Sequence, residues 1–392
     1  VAAVCVWGLY SRTLDSRTLQ PSAHVATRAN NRKARECCTP AEESRHRTGN
    51  SLIHSFVIHS YRSGPSSFSI VGMNLDDDPL LLRSQLVRSG STDGDIRSAT
   101  NSGSIERLRR GAFAPTAQLN SMSPDDRHRL HIRAHAAAAR SELVVSHQSA
   151  ALLHSIPLWS PDLQRVHFTV DRPGGGRKSA SRHLHPAFLS SKDVVSIQGI
   201  AVTSPERTVA DLCKTLSFEA AVCAADAALN RRLLTVIGVA EALGRSGKKS
   251  AVKARRVLDF CSDLSDSVGE SRSRVRMHYA GLPRPAMQVN LYSESGLFIA
   301  RVDFLFTDLG VIGEFDGRVK YSKYLRPGQS ASDAVVAEKK REDALRSHGW
   351  IVVRWTWADL EHPERLVEKL KRAIELAATL PAPRTTFGPP EA

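Results

Sequence analysis

The feature that most constrains this chain is a hairpin signature close to its C-terminal end. Residues 298–316 read FIARVDFLFTDLGVIGEFD. Two runs rich in aromatic and β-branched residues flank Thr307-Asp308-Leu309-Gly310, whose Asp and Gly suit a tight turn. With Asp308 and Leu309 as the loop, Thr307 pairs with Gly310 and Phe306 with Val311, which brings Asp303 opposite Glu314 on one sheet face. Their Cβ atoms then stand roughly 5 Å apart. Like charges so placed destabilise a sheet unless compensated, and the usual compensation for convergent carboxylates is a divalent cation. Asp316 shares that face, opposite Arg301.

Positive charge follows at once. Lys320 lies just past Gly317, and the spacing predicts a helix over about 332–348 with Ala337, Arg341, Ala344 and Leu345 on one face. Arg341 interrupts the stripe that faces the sheet, and a buried-facing Arg needs acidic partners. Gly349 ends the helix, and residues 350–357 are a nearly continuous apolar run, as for a strand covered on both faces.

These motifs, in order, are Glu270 on a helix, Asp303, Glu314-Phe315-Asp316-Gly317 with Lys320, and the helix carrying Glu338 and Arg341 before Gly349-Trp350. The arrangement resembles the PD-(D/E)XK nuclease superfamily, and within it the very-short-patch-repair-like endonucleases. Two positions depart from that pattern. Val302 stands where the superfamily has Pro, and Asp316 where it has Lys, with Lys320 the candidate replacement. The resemblance implies phosphodiester cleavage, with Asp303, Glu314 and Asp316 around one or two Mg2+ (or Mn2+) ions. Lys320 would orient or deprotonate water, and Glu270 and Arg341 would support the cluster. A hard cation wants oxygen ligands and lowers the pKa of bound water. A purely structural reading stands beside this: Glu270 and Arg274 are spaced as a helix pair, and Arg301, Asp303 and Asp316 could form an ion network.

Charge narrows the partner. The 392 residues carry a formal net charge of +14, which favours a polyanion. No stretch approaches the ~20 apolar residues of a membrane span, so DNA in the cytoplasm is expected, with no membrane partner. The six cysteines include no Cys-x-x-Cys and no Cys/His spacing of zinc type, and read as reduced thiols.

Residues 1–72 lack periodicity and read as a disordered extension, or as residues ahead of a true start at Met73. Residues 80–88 are helical in pattern, and Thr92 or Asp93 caps a second helix to about 101. A basic hairpin with Arg107, Arg109 and Arg110 follows. Helix, turn, helix, wing is the winged-helix order, and it resembles the N-terminal domain of AbiEi-type antitoxins and related actinobacterial regulators. The resemblance implies that the second helix, with Arg97, enters the major groove while the wing arginines hold phosphates. A solvated basic hairpin on an ordinary helical pair is the competing reading. Further on, Ser123-Pro124-Asp125-Asp126 starts a helix to about 140, whose His128, His131 and His135 are expected on a partly exposed face. Ser146-His147 and 204–208 also resemble the antitoxin family's middle domain; Ser146 and His147 are expected to cap and fill the core. Arg207 and Asp211 are spaced as a helix pair.

The expected architecture is α/β and multidomain: an extension over 1–72, a winged helix over 73–118, and an α/β middle domain over 119–245. A helical linker over 246–264 then leads to a restriction-endonuclease-like α/β domain with a mixed central sheet over 265–380, and 381–392 is a disordered tail. The expected function is DNA binding with Mg2+-dependent cleavage. The competing class is a non-catalytic regulator or antitoxin, with a toxin as partner.

Overall fold

The computed structural model describes residues 78–138, 143–172, 174–247, 250–317 and 331–388, with backbone only for 331–335. The 1–72 extension and Lys320 lie outside the described residues.

Short elements open the described chain: β1 (Leu81–Leu82), α1 (Arg83–Arg88), α2 (Asp93–Asn101), β2 (Ile105–Arg109) and β3 (Ala112–Pro115). Thr92 starts α2: its Oγ1 accepts from the Asp95 N–H, and the Asp95 carboxylate accepts from the Thr92 N–H. The sheet runs β1-β3-β2. Leu81, Leu86, Ile96, Ala99, Ile105 and Phe113 are buried between it and the helices. After α3 (Thr116–Ser121), α4 (Pro124–Ala136) is capped by Ser123 and packs Leu130 and Ala134 against Leu108 and Leu119. It stops short of 140, and His128 and His135 are buried rather than on a partly exposed face.

The middle sheet has six strands in the order β6-β7-β5-β4-β9-β8. These are β4 (Val144–Val145), β5 (Val166–Val170), β6 (Arg177–Lys178), β7 (Arg182–Pro186), β8 (Val194–Ile197) and β9 (Ile200–Thr203), with α5 (His147–Leu153) after β4. Four helices follow, α6 (Pro205–Thr215), α7 (Phe218–Asn230), α8 (Val236–Arg245) and α9 (Ala251–Phe260). They share one core, to which α9 contributes Ala254 and Val257. The expected helical linker over 246–264 thus holds a helix at 251–260 that packs into this core. The reason is the apolar stripe at 254 and 257, which the basic residues around it mask in sequence.

The next helix, α10 (Val268–Tyr279), belongs to two cores: Val275 joins the helical cluster and Met277 the third sheet. Arg274 pairs with Asp226 of α7 at 2.7 Å, and the Arg272 guanidinium lies 3.6 Å over the ring of Trp159, itself stacked on Trp357. The expected boundary at 264/265 thus crosses a packed interface.

The third sheet is mixed, ordered β13-β12-β11-β10-β14. Its strands are β10 (Ala286–Tyr292), β11 (Phe298–Phe306), β12 (Val311–Asp316), β13 (Ile351–Thr356) and β14 (Thr386–Gly388). Only β12 and β13 run parallel, joined through α11 (Ala331–Ser347). The β11–β12 register is Phe306↔Val311, Leu305↔Ile312 and Phe304↔Gly313, the one derived from the turn, with Gly310 closing it at φ +64. One sheet face packs Phe304, Phe306, Phe315 and Trp355 against Leu366 and Leu370 of α13 (Pro363–Ala377). The other packs Val302, Leu305 and Ile312 against Leu345 of α11 and Trp350. A short α12 (Trp357–Glu361) links β13 to α13. The tail expected to be disordered beyond 380 instead pairs β14 with β10. Backbone hydrogen bonding to an open sheet edge supplies what its composition does not show.

Gly313 permits a close approach between β12 and β13. A Cβ there would stand 2.5 Å from Cη2 of Trp355, a fully buried ring whose Nε1 donates to Ser273 Oγ at 2.7 Å. Gly313→Ala is expected to cost about 1–3 kcal/mol through overpacking, read as a lower urea midpoint. An unchanged midpoint would mean that the indole shifts freely.

Candidate functional site

The residues singled out near the hairpin fall into two groups. The first gathers Glu270, Gln288 and Asp303. Glu270 is the third residue of α10: its N–H donates to the Oγ of the capping Ser267, and its carboxyl accepts from that hydroxyl (2.7 Å) and from the Asp266 N–H (2.9 Å). Gln288 sits inside β10 with φ +53, an uncommon conformation for a residue with a side chain. Its Nε2 donates to Glu270 Oε2 at 2.9 Å and reaches Asp303 Oδ1 at 3.4 Å. Asp303 Oδ2 accepts from the Phe315 N–H at 3.0 Å, one step past the last paired residues of the β11–β12 ladder. Burial, and then the charge of Asp303, push the Glu270 carboxyl up to about 7. Arg274 does not pair with Glu270; it turns to Asp226 and the Phe260 carbonyl.

Glu314 belongs to the second group, facing α11. Arg341 reaches its Oε1 and Oε2 at 2.8 Å each, and Arg354 Nε donates to Oε2 at 3.1 Å. Both guanidinium groups also hold Glu338, and Arg354 lies 3.0 Å from Glu342. Burial alone would lower the Arg341 pKa, but the hydrogen bonds to Glu338 and Glu314 raise it above its ordinary value. Asp316 ends β12, half-buried, beside Thr356 of β13. Arg301, expected opposite it, pairs with Asp266 at 3.2 Å.

As arranged, Glu314 offers no free oxygen to Mg2+. Such an ion needs oxygen ligands at about 2.0–2.1 Å, and both Glu314 oxygens are already engaged by guanidinium nitrogens. In the described contacts Asp303 accepts from the Phe315 N–H and reaches Gln288 Nε2, whereas Glu314 accepts from Arg341 and Arg354.

A basic surface lies at the other end of the described chain. Arg97 on α2 and Arg107 and Arg110 on the β2–β3 hairpin are exposed and form no ion pair among the described residues, whereas nearby Arg83 and Arg127 pair with Asp93 and Glu106. Arg109 is less exposed than its neighbours Arg107 and Arg110. It is half-buried, its Nη1 reaches the Ala134 carbonyl at 3.4 Å, and it lines a cavity of about 490 Å3 with Arg110, His135 and Arg182. Burial and the charge of Arg182 lower its pKa.

Sequence reasoning missed Arg354, Gln288 and Glu338's second partner. The signal for Arg354 was present: a cation inside the run IVVRWT requires an acid nearby. Gln288 gave no signal, because its role depends on an unusual backbone conformation.

No family model matches the chain. Two curated proteins of Mycobacterium tuberculosis, "Uncharacterized protein MT2308" of strain CDC 1551 / Oshkosh and "Uncharacterized protein Rv2248" of strain ATCC 25618 / H37Rv, are each 26% identical over 183 residues. The match covers 46% of this chain and 64% of each relative, so the chain spans just under two thirds of their length. Among solved structures, the RV2827C protein of M. tuberculosis matches with a TM-score of 0.35 and 15% identity, over 56% of this chain and 81% of its own. A likeness at that score bears on neither fold nor activity. No helix among the described residues is long and apolar enough to cross a membrane.

Proposed function

We propose that this is a DNA-binding protein of the regulator or antitoxin type. It docks on duplex DNA through residues 81–115, read as a winged helix, and its C-terminal α/β unit is a nuclease-like scaffold. The observation that carries this is the set of three exposed arginines at 97, 107 and 110, without an ion pair among the described residues and placed on the second helix and the hairpin of that unit. The net charge of +14 supports it. The ion pairs of Glu314 with Arg341 and Arg354 support the scaffold role.

The test is DNA binding as a function of salt. Each phosphate contact contributes about 0.9 to the slope of log K against log salt. The triple variant Arg97→Ala, Arg107→Ala, Arg110→Ala is expected to reduce that slope by about 2.7 and to bind weakly at physiological salt. An unchanged slope would place the DNA elsewhere, or nowhere.

Metal-dependent cleavage is the second reading, favoured by the convergence of Glu270 and Asp303 about Gln288 Nε2. It requires Arg341 and Arg354 to release Glu314. Nicking of supercoiled plasmid in Mg2+ or Mn2+ by the wild type, lost in folded Asp303→Ala and Glu314→Ala proteins, would replace the scaffold reading with this one.

A further inference from the structure

The middle sheet brings together four histidines that DNA binding does not use. His167 on β5 and His183 on β7 are partners in a parallel ladder, and His185 is partnered by Thr169 two residues further along both strands. Residues two apart on a strand share a face. Val166, Phe168 and Leu184 fill the core on the opposite face. His147, the first residue of α5, lies against this row, its ring stacked on that of His185 with centroids 3.8 Å apart.

One nitrogen from each of His147, His167 and His185 falls within 4.8 Å of the others; among the described residues they are the one such group of His, Cys, Asp or Glu. His167 Nδ1 and His185 Nε2 are 3.0 Å apart. Two imidazole nitrogens on a tetrahedral ion at about 2.0–2.1 Å would stand roughly 3.3 Å apart, so this pair is already close to ligand spacing.

We propose that His147, His167 and His185 bind a first-row transition-metal ion of the Zn2+ type, with His183 at the rim, tying the start of α5 to β5 and β7. Three further observations support the site. Ser146 does not cap α5; its Oγ lies 2.9 Å from His147 Nδ1, and with the hydroxyl oxygen accepting there, Nε2 is left as the ligand nitrogen. His147 has φ +54, a conformation costly for a residue with a side chain, and one that positions its ring over the sheet. Thr169, beside His185, is fully buried, and its Oγ1 has no hydrogen-bond partner among the described residues.

The chemistry selects the class of ion. Imidazole nitrogens suit Zn2+, Ni2+ or Cu2+ and not Mg2+ or Ca2+. Ligation needs neutral rings, which imidazoles with an ordinary pKa near 6.5 mostly offer above pH 7. Whichever of His167 and His185 donates across their 3.0 Å contact binds the ion as its other tautomer, so no net proton is released. The ligands come from β5, β7 and α5, some twenty residues apart in sequence, which explains why no spacing motif announces them.

The experiment is titration of the full chain with Zn2+ and with Co2+ after chelator treatment and desalting. About one equivalent is expected to bind, with a visible Co2+ ligand-field spectrum that lacks a thiolate charge-transfer band. His185→Gln and His147→Asn should remove that equivalent. Ser146→Ala keeps all three ligands and should weaken binding about tenfold to a hundredfold. A thiolate band would assign the metal to cysteines and overturn the proposal. So would full stoichiometry in the histidine variants, or no uptake by the folded wild type.

Discussion

Arg207→Met is expected to destabilise the protein by about 3–5 kcal/mol, the scale for removing one partner of a buried ion pair. Arg207 is fully buried. Its Nε donates to Asp211 at 3.1 Å, and its Nη1 donates to the Phe188 carbonyl at 2.8 Å and to Asp193 at 3.3 Å. Methionine fills much of the volume but leaves two carboxylates short of a cation. Asp193 keeps Arg245 at 2.8 Å, so the greater loss falls on Asp211, whose carboxyl burial already raises to about 6 despite Arg207. Arg207→Met with Asp211→Leu should recover much of the loss, because an apolar pair asks for no compensation. Urea midpoints check both variants. A single variant as stable as the wild type would show that the pair contributes nothing.

Between about pH 6.5 and pH 4 the protein is expected to lose stability steeply, with His128 alone contributing about 3 kcal/mol. His128 is buried in α4, and its Nδ1 lies 2.9 Å from the Leu163 carbonyl, which can only accept, so Nδ1 carries the proton. Nε2 is 2.9 Å from Ser149 Oγ, which accepts from the His167 N–H and turns its own proton to the imidazole. Burial pushes the His128 pKa down to about 4, and His135 to about 4 by the same cause with Arg109 adding to it. The folded pKa lies below the unfolded one near 6.5, so the unfolded chain binds more protons across that window. Stability is present above it and lost as pH falls through it. His167 and His185 act in the same direction. Asp211, Asp226 and Glu270, all raised by burial, act oppositely, and the seven lowered imidazoles outnumber these three carboxyls. Unfolding free energy measured from pH 7 to 4.5 should fall, and His128→Gln should flatten the curve. A flat wild-type curve would mean that these rings are solvated.

Much of the local structure was legible because its cause is local. Thr92 and Asp95 cap α2, Ser123 caps α4, and the Thr307–Gly310 turn sets the β11–β12 register, each through atoms a few residues apart. Where the decisive partner was distant, expectation and structure diverge. Ser146 reads as a cap and instead holds His147; the helical linker expected over 246–264 packs Ala254 and Val257 into the helical core.

By itself, then, the sequence determined the helices, the turns, the hairpin register and the excess of positive charge, since periodicity, capping and side-chain type act within a few residues. The tertiary structure alone decided that Glu314 faces Arg341 and Arg354, that Asp303 shares Gln288 with Glu270, that β14 closes the sheet edge, and that three imidazoles meet over β5 and β7. Electrostatic pairing acts through space, and which charges come within a few ångströms of each other is set by how helices and sheets pack.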